Sequence, residues 1–379
     1  SFWYKVYEPF IRKAAGLGVA SLEKDKERYE HKFEYCDLLV TGSGPSGLAS
    51  AYAAAKNGAK VILAEDKPRY GGTLLTDDVS IDNMSGKDWS EKIISELKTM
   101  PNVTLKNRSQ VFGYYDHNMM VMFERVGDHL SNKSKYTPRQ RLWYIRAKET
   151  ILSTGSIERP IVFGNNDTPG VVLSSAAKEY MKVYGVLVGR KPIIFTNNDS
   201  AYETAFEFKK NNVEPIILDT REEHDSEVVQ EAKNKGIQIK FSYGVSVANG
   251  YKKVKSAKIG KLTKDKKSFE STETINCDCI CVSGFWTPTV HLASQSGNKL
   301  KFDEKIDAFI PDKSKQNEKT IGAANGSFTL QETIESGFKT GSELSSKITD
   351  KNNENKIPTV TETKYSVHDK FWCMPLPKN

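Results

Sequence analysis

The stretch from Asp37 to Thr73, DLLVTGSGPSGLASAYAAAKNGAKVILAEDKPRYGGT, constrains the fold of this chain more than any other part of it. The apolar run Leu38 to Val40 predicts a buried strand, and it leads into three glycines spaced G-x-G-x-x-G, at positions 42, 44 and 47. An alanine-rich helix from about Pro45 to Lys56 and a second apolar strand, Lys60 to Ala64, follow. Strand, glycine turn, helix and strand in this order predict an α/β fold that begins with a dinucleotide-binding unit.

Each glycine of this fingerprint has a separate expected role. Gly42 permits the tight turn, Gly44 lets the backbone approach a pyrophosphate, and Gly47 lets the helix lie close to the sheet. The N-terminal N–H groups of the helix then point at the phosphates. These roles predict that the phosphates are bound by backbone groups of the turn.

Glu65 follows the second strand at the distance where an acid accepts hydrogen bonds from an adenosine ribose. An acid there would repel a 2′-phosphate, so NAD or FAD is favoured over NADP. Lys67 and Arg69 lie close enough in sequence to weaken that preference, and the residues alone do not separate NAD from FAD.

Two later segments are expected to close this site. The strand Ile151 to Ser153 leaves the sheet at Thr154-Gly155, which brings backbone close to a cofactor. The stretch 320–341, TIGAANGSFTLQETIESGFKTG, predicts a strand, a turn at Gly322 and Gly326, and a helix from about Leu330. That helix would bring a second N-terminus against the cofactor.

A second βαβ unit begins at Lys191, with a turn that reads TNNDSAYET and contains no glycine. Side chains at Asn197 and Asp199 would obstruct the approach of a pyrophosphate to the backbone. The pattern predicts the fold of a nucleotide-binding domain without its nucleotide site.

Composition narrows the class of protein. A chain of 379 residues with 38% hydrophobic content is long enough for two or three domains. The first twenty residues carry charges and lack an apolar core, and no run approaches membrane-spanning length, which predicts a cytoplasmic protein with no membrane contact. The net charge of +7 comes largely from lysines, dense at 252–267, which favours a solvated surface over nucleic-acid binding.

The five cysteines form no C-x-x-C pair. Cys277, Cys279 and Cys281 alternate and would share one face of a strand, where they could bind a soft metal. A buried apolar strand is the favoured interpretation, so no metal site is predicted.

Four parts of the chain are predicted. Residues 1–37 form an aromatic and charged arm whose Phe2, Trp3, Tyr4, Tyr7 and Phe10 are expected to pack on another surface. A dinucleotide-binding domain takes residues 38–156 and 284–345, an inserted Rossmann-like domain takes 157–283, and a linker and C-terminal junction take 346–379.

Long strings of the sequence resemble the α subunit of heterotetrameric sarcosine oxidase, and related amine and proline dehydrogenase subunits are similar. The resemblance rests on WYKVYEPFIRKAAGLG, FGYYDHN (112–118), GSIERPIVFGNNDTPGVVLSSAAKEY (155–180), FTNNDSAYETA (195–205) and VSGFWTPTVHLASQ (282–295). It implies the two-dinucleotide-binding-domain flavoprotein fold of the glutathione-reductase type, with the second domain inserted into the first.

The resemblance also implies a function and a set of partners. The α subunit would bind NAD, a β subunit would bind FAD and share an FMN site at the α/β boundary, and γ and δ subunits would complete the complex. The complex would oxidise sarcosine to glycine, reduce oxygen to peroxide and pass a one-carbon unit to folate. Because the amine is oxidised in the β subunit, no catalytic residue is assigned to this chain.

The implied cofactor contacts are with Gly72 to Leu74 beside the pyrophosphate and Val111 near the adenine. The full set is Gly42, Ser43, Gly44, Pro45, Ser46, Gly47, Glu65, Asp66, Gly72, Thr73, Leu74, Val111, Thr154, Gly155 and Gly326.

Two departures and two alternatives limit the resemblance. The family's α subunit carries a segment upstream and a folate-binding region downstream, neither of which is in this sequence, so folate chemistry is not assigned. A self-contained FAD-dependent NADH oxidoreductase would need a second fingerprint and usually a cysteine pair, which this sequence lacks. A scaffold that has lost nucleotide binding would have no need for the three glycines and Glu65.

Overall fold

A computed structural model describes residues 2–351, 353, 355–363 and 368–375. Ser1 of the predicted arm, and residues 352, 354, 364–367 and 376–379 of the predicted linker and junction, lie outside the described residues.

Within the described residues the chain forms an alternating series of strands and helices. The first strands are β1 (Tyr29–Thr41), β2 (Val61–Ala64), β3 (Ser80–Ile81), β4 (Met84–Ser85), β5 (Val103–Lys106), β6 (Ser109–Tyr115), β7 (Met119–Arg125) and β8 (Gln140–Leu152). The next are β9 (Ser156–Glu158), β10 (Val171–Leu173), β11 (Pro192–Thr196), β12 (Ile216–Asp219), β13 (Gln238–Phe241), β14 (Tyr243–Asn249), β15 (Ser256–Leu262), β16 (Phe269–Asn276) and β17 (Cys279–Ser283). The last are β18 (Trp286–Pro288), β19 (Lys299–Asp303), β20 (Ala308–Lys313), β21 (Glu318–Thr320) and β22 (Val360–Thr361).

The α-helices are α1 (Glu8–Ala14), α2 (Pro45–Lys56), α3 (Gly86–Thr99), α4 (Ser174–Tyr184), α5 (Tyr202–Lys210), α6 (Glu227–Asn234), α7 (His291–Gln295) and α8 (Leu330–Thr349). Helix α8 runs past residue 345, at which the first domain was predicted to end.

The first sheet has the strand order β5-β2-β1-β8-β7-β6, with β21 paired to β8. Its strands β5, β2, β1, β8 and β21 run parallel, and β7 and β6 turn back antiparallel. Helices α2 and α8 cover one face through a core that includes Leu38, Val40, Leu48 and Phe338. The strand, glycine turn, helix and strand that the fingerprint predicted are confirmed.

Strand β1 begins at Tyr29, well before the predicted Leu38. Its first half pairs with β8 in register from Tyr29 opposite Gln140. The sequence YEHKFEY alternates aromatic with charged residues, which suits a half-exposed strand. The sequence analysis placed these residues in the arm, because the partner strand lies more than a hundred residues away.

The second sheet is entirely parallel, with the order β10-β17-β11-β12-β13. Its strands lie in sequence between β8 and β21, which both belong to the first sheet. Helices α4 to α6 pack in the core on one face, and the antiparallel strands β14-β15-β16 contribute to the core on the other. The prediction of a second Rossmann-like unit inserted into the first is confirmed, while the domain boundaries stay a prediction.

The three alternating cysteines do not share a face, contrary to the prediction. Cys277 packs in one core cluster, and Cys279 and Cys281 pack in the other with their sulfur atoms 3.6 Å apart. Strand β17 starts only at Cys279. Asp278 accepts hydrogen bonds from the backbone N–H groups of Arg190 and Lys191, which sets Cys277 outside the strand's alternation.

The predicted aromatic arm forms a π-helical turn, Trp3–Tyr7, followed by α1. Phe2, Tyr4 and Phe10 are 70% exposed or more, and neither helical segment has a buried residue. The predicted partner surface is therefore not one that the described residues provide. No helix among the described residues is long and apolar enough to cross a bilayer.

Candidate dinucleotide-binding site

The three fingerprint glycines lie in different surroundings. A Cβ atom on Gly42 would stand 2.3 Å from the carbonyl oxygen of Ser153, and one on Gly47 would stand 1.9 Å from the carbonyl oxygen of Gly42. Gly44, by contrast, has φ −66° and ψ −174°, and a Cβ there would meet nothing within 4 Å. Packing therefore requires Gly42 and Gly47, whereas Gly44 leaves open space at the N-terminus of α2.

Ser153 holds the fingerprint turn against the end of β8. Its Oγ donates to the carbonyl oxygens of Thr41 at 2.8 Å and Gly42 at 2.9 Å. Sequence reasoning did not single out Ser153; its place at a strand end directly before Thr154-Gly155 was the available signal.

Glu65 is fixed by three hydrogen bonds at the carboxyl end of β2. Oε2 accepts from the backbone N–H of Ser43 at 2.9 Å and from Ser43 Oγ at 2.5 Å, and Oε1 accepts from the backbone N–H of Lys67 at 2.9 Å. The residue is 7% exposed. Burial and a hydrogen bond with Asp66, partly offset by those from Ser43 and Lys67, raise the pKa of Glu65 to about 7.

The loop after β2 closes over the fingerprint. The backbone N–H of Gly71 donates to Ser43 O at 3.0 Å, and a Cβ on Gly72 would stand 2.8 Å from the Cα of Gly44. Gly71 and Gly72 have φ values of +125° and +55°. Thr73 is exposed, and Leu74 is buried in the core, so Leu74 offers a cofactor only its backbone.

The turn before α8 lies against the start of α2. A Cβ on Gly322, whose φ is +66°, would stand 2.6 Å from Ser46 Oγ. Further along α8, a Cβ on Gly337 or Gly341 would stand 2.6 or 2.3 Å from the carbonyl oxygens of Ser46 and Ser50. Helices α2 and α8 thus pack backbone to backbone, a role that the sequence analysis did not assign to these glycines.

The start of α8 differs from the prediction. The N–H groups of Leu330 and Gln331 donate to the Glu362 carboxylate at 2.6 and 3.1 Å, and Thr329 Oγ1 accepts from Glu332. The helix end that was predicted to face the cofactor is therefore capped within the chain. Gly326, at φ +82°, faces Ile306 and Ile310.

The chain exit at Thr154-Gly155 lies beside the crossing back into the first sheet. Thr154 Oγ1 donates to Thr289 O at 2.9 Å, and Thr289 N–H donates to Gly155 O at 2.9 Å. Gly155 has φ +72° and, like Gly44, open space at its Cβ position. Among the glycines of the predicted set, these two have open space at the Cβ position.

Two further residues of the predicted set are Val111, expected near the adenine, and Asp66, which directly follows Glu65. Val111 is 8% exposed on β6, and the same strand begins with Ser109, whose N–H donates to the carbonyl oxygen of Glu65 at 2.7 Å. Asp66 is exposed, and its carbonyl oxygen accepts from Arg125. The structure therefore brings Ser43, Gly44, Glu65 and Gly72 together directly and Val111 by its strand.

A buried lysine joins the two units beside this site. Lys178 of α4 lies 2.7 Å from Asp77 Oδ1, on the loop after Gly72, and 2.5 Å from Glu203 Oε2 of α5. Burial lowers the pKa of Lys178, but the two carboxylates outweigh it and raise that pKa above its usual value. The three residues are far apart in sequence, and no local pattern predicts their meeting.

Comparison with known proteins gives this geometry a context. Residues 37–120 match the family of FAD dependent oxidoreductases. The chain is 38% identical over 331 residues to sarcosine oxidase subunit alpha of Rhizobium meliloti (strain 1021), which covers 85% of this chain and 32% of that protein. It is 34% identical over 332 residues to the same subunit of Corynebacterium sp. (strain P-1), covering 86% of this chain and 34% of that protein. The chain thus spans about a third of the length of these curated relatives.

Solved structures confirm the fold. L-proline dehydrogenase from P. horikoshii superposes with a TM-score of 0.64 at 20% identity, over 87% of this chain and 58% of that one. Thioredoxin reductase from T. acidophilum gives 0.62 at 16% identity, over 83% of this chain and 99% of that one. The resemblance to the sarcosine oxidase α subunit is confirmed as homology over part of that protein.

Proposed function

We propose that this chain is the NAD-binding portion of the α subunit of a multi-subunit, flavin-dependent amine oxidase of the sarcosine oxidase type. The observation that carries the proposal is the open backbone at Gly44, next to the N-terminus of α2 and to an anchored Glu65. It occurs in a chain 38% identical to a sarcosine oxidase α subunit over 331 residues. In this proposal NAD is a resident nucleotide, and the amine is oxidised in a partner subunit.

The residues present suit a dinucleotide. The open space at Gly44 lets a pyrophosphate reach the backbone, and the first-turn N–H groups of α2 favour its negative charge. Ser43 and Gly72 fix the turn through Glu65 and through the close approach to Gly44. The remaining residues predicted to contact the nucleotide, including Val111, Thr154 and Gly155, are part of the same proposal.

The charges around Glu65 favour NAD over NADP. Lys67, which could have attracted a 2′-phosphate, lies 2.8 Å from Glu179, and Arg69 donates to the carbonyl oxygen of Val183 at 3.3 Å. Both cations that weakened the sequence argument thus have partners on α4. The acid that remains beside the ribose position opposes a phosphate and accepts hydroxyl hydrogen bonds.

A second candidate is FAD in the same site, in a self-contained NADH oxidoreductase. The match of residues 37–120 to FAD dependent oxidoreductases favours a flavin. Such an enzyme needs a site for NADH in the second unit, and usually a redox cysteine pair. The turn Asn197-Asn198-Asp199 of that unit lacks glycine, and the sequence has no C-x-x-C pair, which argues against this candidate. We therefore place NAD in this chain, FAD in a β subunit and FMN near the α/β interface.

The exposed arm fits an assembly role. Phe2, Trp3, Tyr4, Tyr7 and Phe10 form an apolar surface that the described residues leave uncovered, and large exposed patches of this kind mark interaction sites. We assign this surface to contact with β, γ or δ subunits of the complex. Sarcosine, converted to glycine with the reduction of oxygen to peroxide, is the proposed reaction of that complex, and the cytoplasm its location.

The test is to purify the complex through a tag on this chain and to measure peroxide formed on addition of sarcosine. The proposal predicts co-purifying subunits that carry FAD and FMN, and peroxide that depends on sarcosine. N,N-dimethylaniline, an amine without a carboxylate, is the control substrate. A chain that purifies alone and oxidises NADH would contradict the proposal and favour the second candidate.

A further inference from the structure

We propose that the crevice at the carboxyl edge of the second sheet is a peptide-binding groove whose ligand is the chain's own segment 368–375. This segment, called here the strap, lies where a Rossmann-like unit would bind a second dinucleotide. The inference concerns the second unit and does not depend on which nucleotide the first unit binds.

The position of the groove follows from the topology. In the sheet order β10-β17-β11-β12-β13, the chain runs from β11 outward through β12 to β13 and then returns to β17 on the other side of β11. The order therefore reverses beside β11, and ligands of open parallel sheets bind outside the carboxyl ends at such a point. The residues there are Asn197 after β11, Thr220 after β12 and Gly284 after β17.

The strap contacts all three of these residues. Asn197 Nδ2 donates to the carbonyl oxygens of Asp369 at 2.7 Å and Phe371 at 3.3 Å, and Asn197 O accepts from Asp369 N–H at 2.9 Å. Thr220 Oγ1 donates to the Asp369 carboxylate at 3.4 Å. Trp372 Nε1 donates to Gly284 O at 2.6 Å.

The groove also recognises the strap's side chains. Lys266 pairs with the Asp369 carboxylate and lies 5.6 Å from the ring centre of Phe371. Met374 is 3% exposed, and a Cβ on Gly244 would stand 2.4 Å from its sulfur atom. The groove therefore accommodates an extended peptide by both backbone and side-chain contacts.

Backbone pairing continues beyond the groove. Val162 N–H donates to Trp372 O at 2.7 Å, and Met374 N–H donates to Val162 O at 2.8 Å. At the other end, the His368 ring stacks on Phe285 with centres 4.0 Å apart and planes 7° apart. Phe285 has φ +75°, a strained value for an aromatic residue, and it is held there by this stack and by Phe328.

Groups that would otherwise bind a nucleotide are engaged internally. Asp219, at the position of a ribose-binding acid after β12, lies 2.7 Å from Arg221 and accepts from Tyr202 Oη at 2.8 Å. Arg221 also pairs with Asp199, in the turn after β11, at 2.7 Å. Asp199 and Asp219 are fully buried. At this edge of the sheet, the charged groups Asp199, Asp219 and Arg221 pair with one another, and the strap lies beside them.

Hydrogen–deuterium exchange on the full chain tests the proposal. In the wild type, the amides of Asp369 and Met374 are expected to exchange at least tenfold more slowly than unprotected amides. Asn197→Ala removes two hydrogen bonds to the strap and is expected to accelerate this exchange about tenfold. Asn211→Ala, which removes a side-chain contact at the end of α5, is the matched control and is expected to leave it unchanged.

Trp372→Phe serves as the second variant, because it removes the indole hydrogen bond to Gly284 and keeps an aromatic ring beside Arg159 and His368. It is expected to accelerate strap exchange several-fold even if Asn197→Ala does not fold. Excess NADH is then added to the wild type, where exchange in the strap is expected to stay the same. Unprotected strap amides in the wild type, exchange unaffected by Trp372→Phe, or NADH-induced release of the strap with new protection at 196–200 would each overturn the proposal.

Discussion

Replacing Gly44 by alanine separates nucleotide binding from folding. The backbone at Gly44, with φ −66° and ψ −174°, suits any residue, and a Cβ atom there meets nothing within 4 Å. Alanine is a poorer N-cap than glycine by about 0.5–1 kcal/mol, and its smaller entropy in the unfolded chain offsets about 0.4–1 kcal/mol. We therefore expect the free energy of unfolding of Gly44→Ala to differ from the wild type by less than about 0.5 kcal/mol.

The same methyl group occupies the space assigned to the pyrophosphate. Overpacking by one methyl costs about 1–3 kcal/mol, which corresponds to a roughly 5- to 150-fold weaker Kd for the nucleotide. The assay is nucleotide content per purified chain by mass spectrometry, with affinity from calorimetry on stripped protein and stability from urea unfolding.

Gly47→Ala is the matched control, since its Cβ would stand 1.9 Å from the carbonyl oxygen of Gly42. That variant is expected to lose stability by more than about 2 kcal/mol, because the obstructing atom belongs to the backbone. If Gly44→Ala bound the nucleotide with unchanged affinity, the cradle at Gly44 would be refuted. If Gly47→Ala were as stable as the wild type, the reasoning from close approach would be wrong.

Three further predictions concern stability and pH. Lys178→Met removes the cation that Asp77 and Glu203 share and should lower the free energy of unfolding, measured in urea, by about 3–5 kcal/mol. The control is Lys182→Met, whose partner Asp78 is 59% exposed; it should lower the free energy of unfolding by less than about 1 kcal/mol. Equal effects of the two variants would contradict the buried pairing. Gly341→Ala places a Cβ 2.3 Å from Ser50 O and should lower the melting temperature, while Gly18→Ala, which meets nothing within 4 Å, should not. In nucleotide-free protein, the raised pKa of Glu65 means that the folded state favours the neutral carboxyl group. The stability of the wild type relative to Glu65→Gln should therefore fall, by up to about 3 kcal/mol, as the pH rises from about 5 to 8. A constant difference between the two proteins, measured by urea unfolding across that range, would argue against a raised pKa.

The parts of the site that the sequence predicted are those encoded by local spacing. Gly42, Gly44 and Gly47 fall within one turn, and Glu65 follows the next strand, so a βαβ pattern places all four. The glycine-free turn at Asn197 likewise predicted a second unit without a nucleotide signature.

Contacts between distant segments could not be predicted in this way. Lys178 meets Asp77 across 101 positions, and Asn197 meets Asp369 across 172. Nothing in the sequence near either residue records its partner, because such pairs are set by how the two sheets and their connections pack. The prediction missed the first half of β1 for the same reason, since the strand from Tyr29 onward forms by pairing with β8.

Cys277 shows a second limit. Cys277 was assigned to a strand face by alternation, but the strand begins two residues later. Periodicity fixes a face only once the element boundaries are known.

The central claim is that the fingerprint holds NAD while the flavins of the complex lie outside this chain's own site. The most direct measurement is to denature the purified chain, separate it from its nucleotide, and identify that nucleotide by mass spectrometry and absorbance. One equivalent of NAD without flavin absorbance is the predicted result. One equivalent of FAD, reduced in the native chain on addition of NADH, would contradict the account and identify a self-contained reductase.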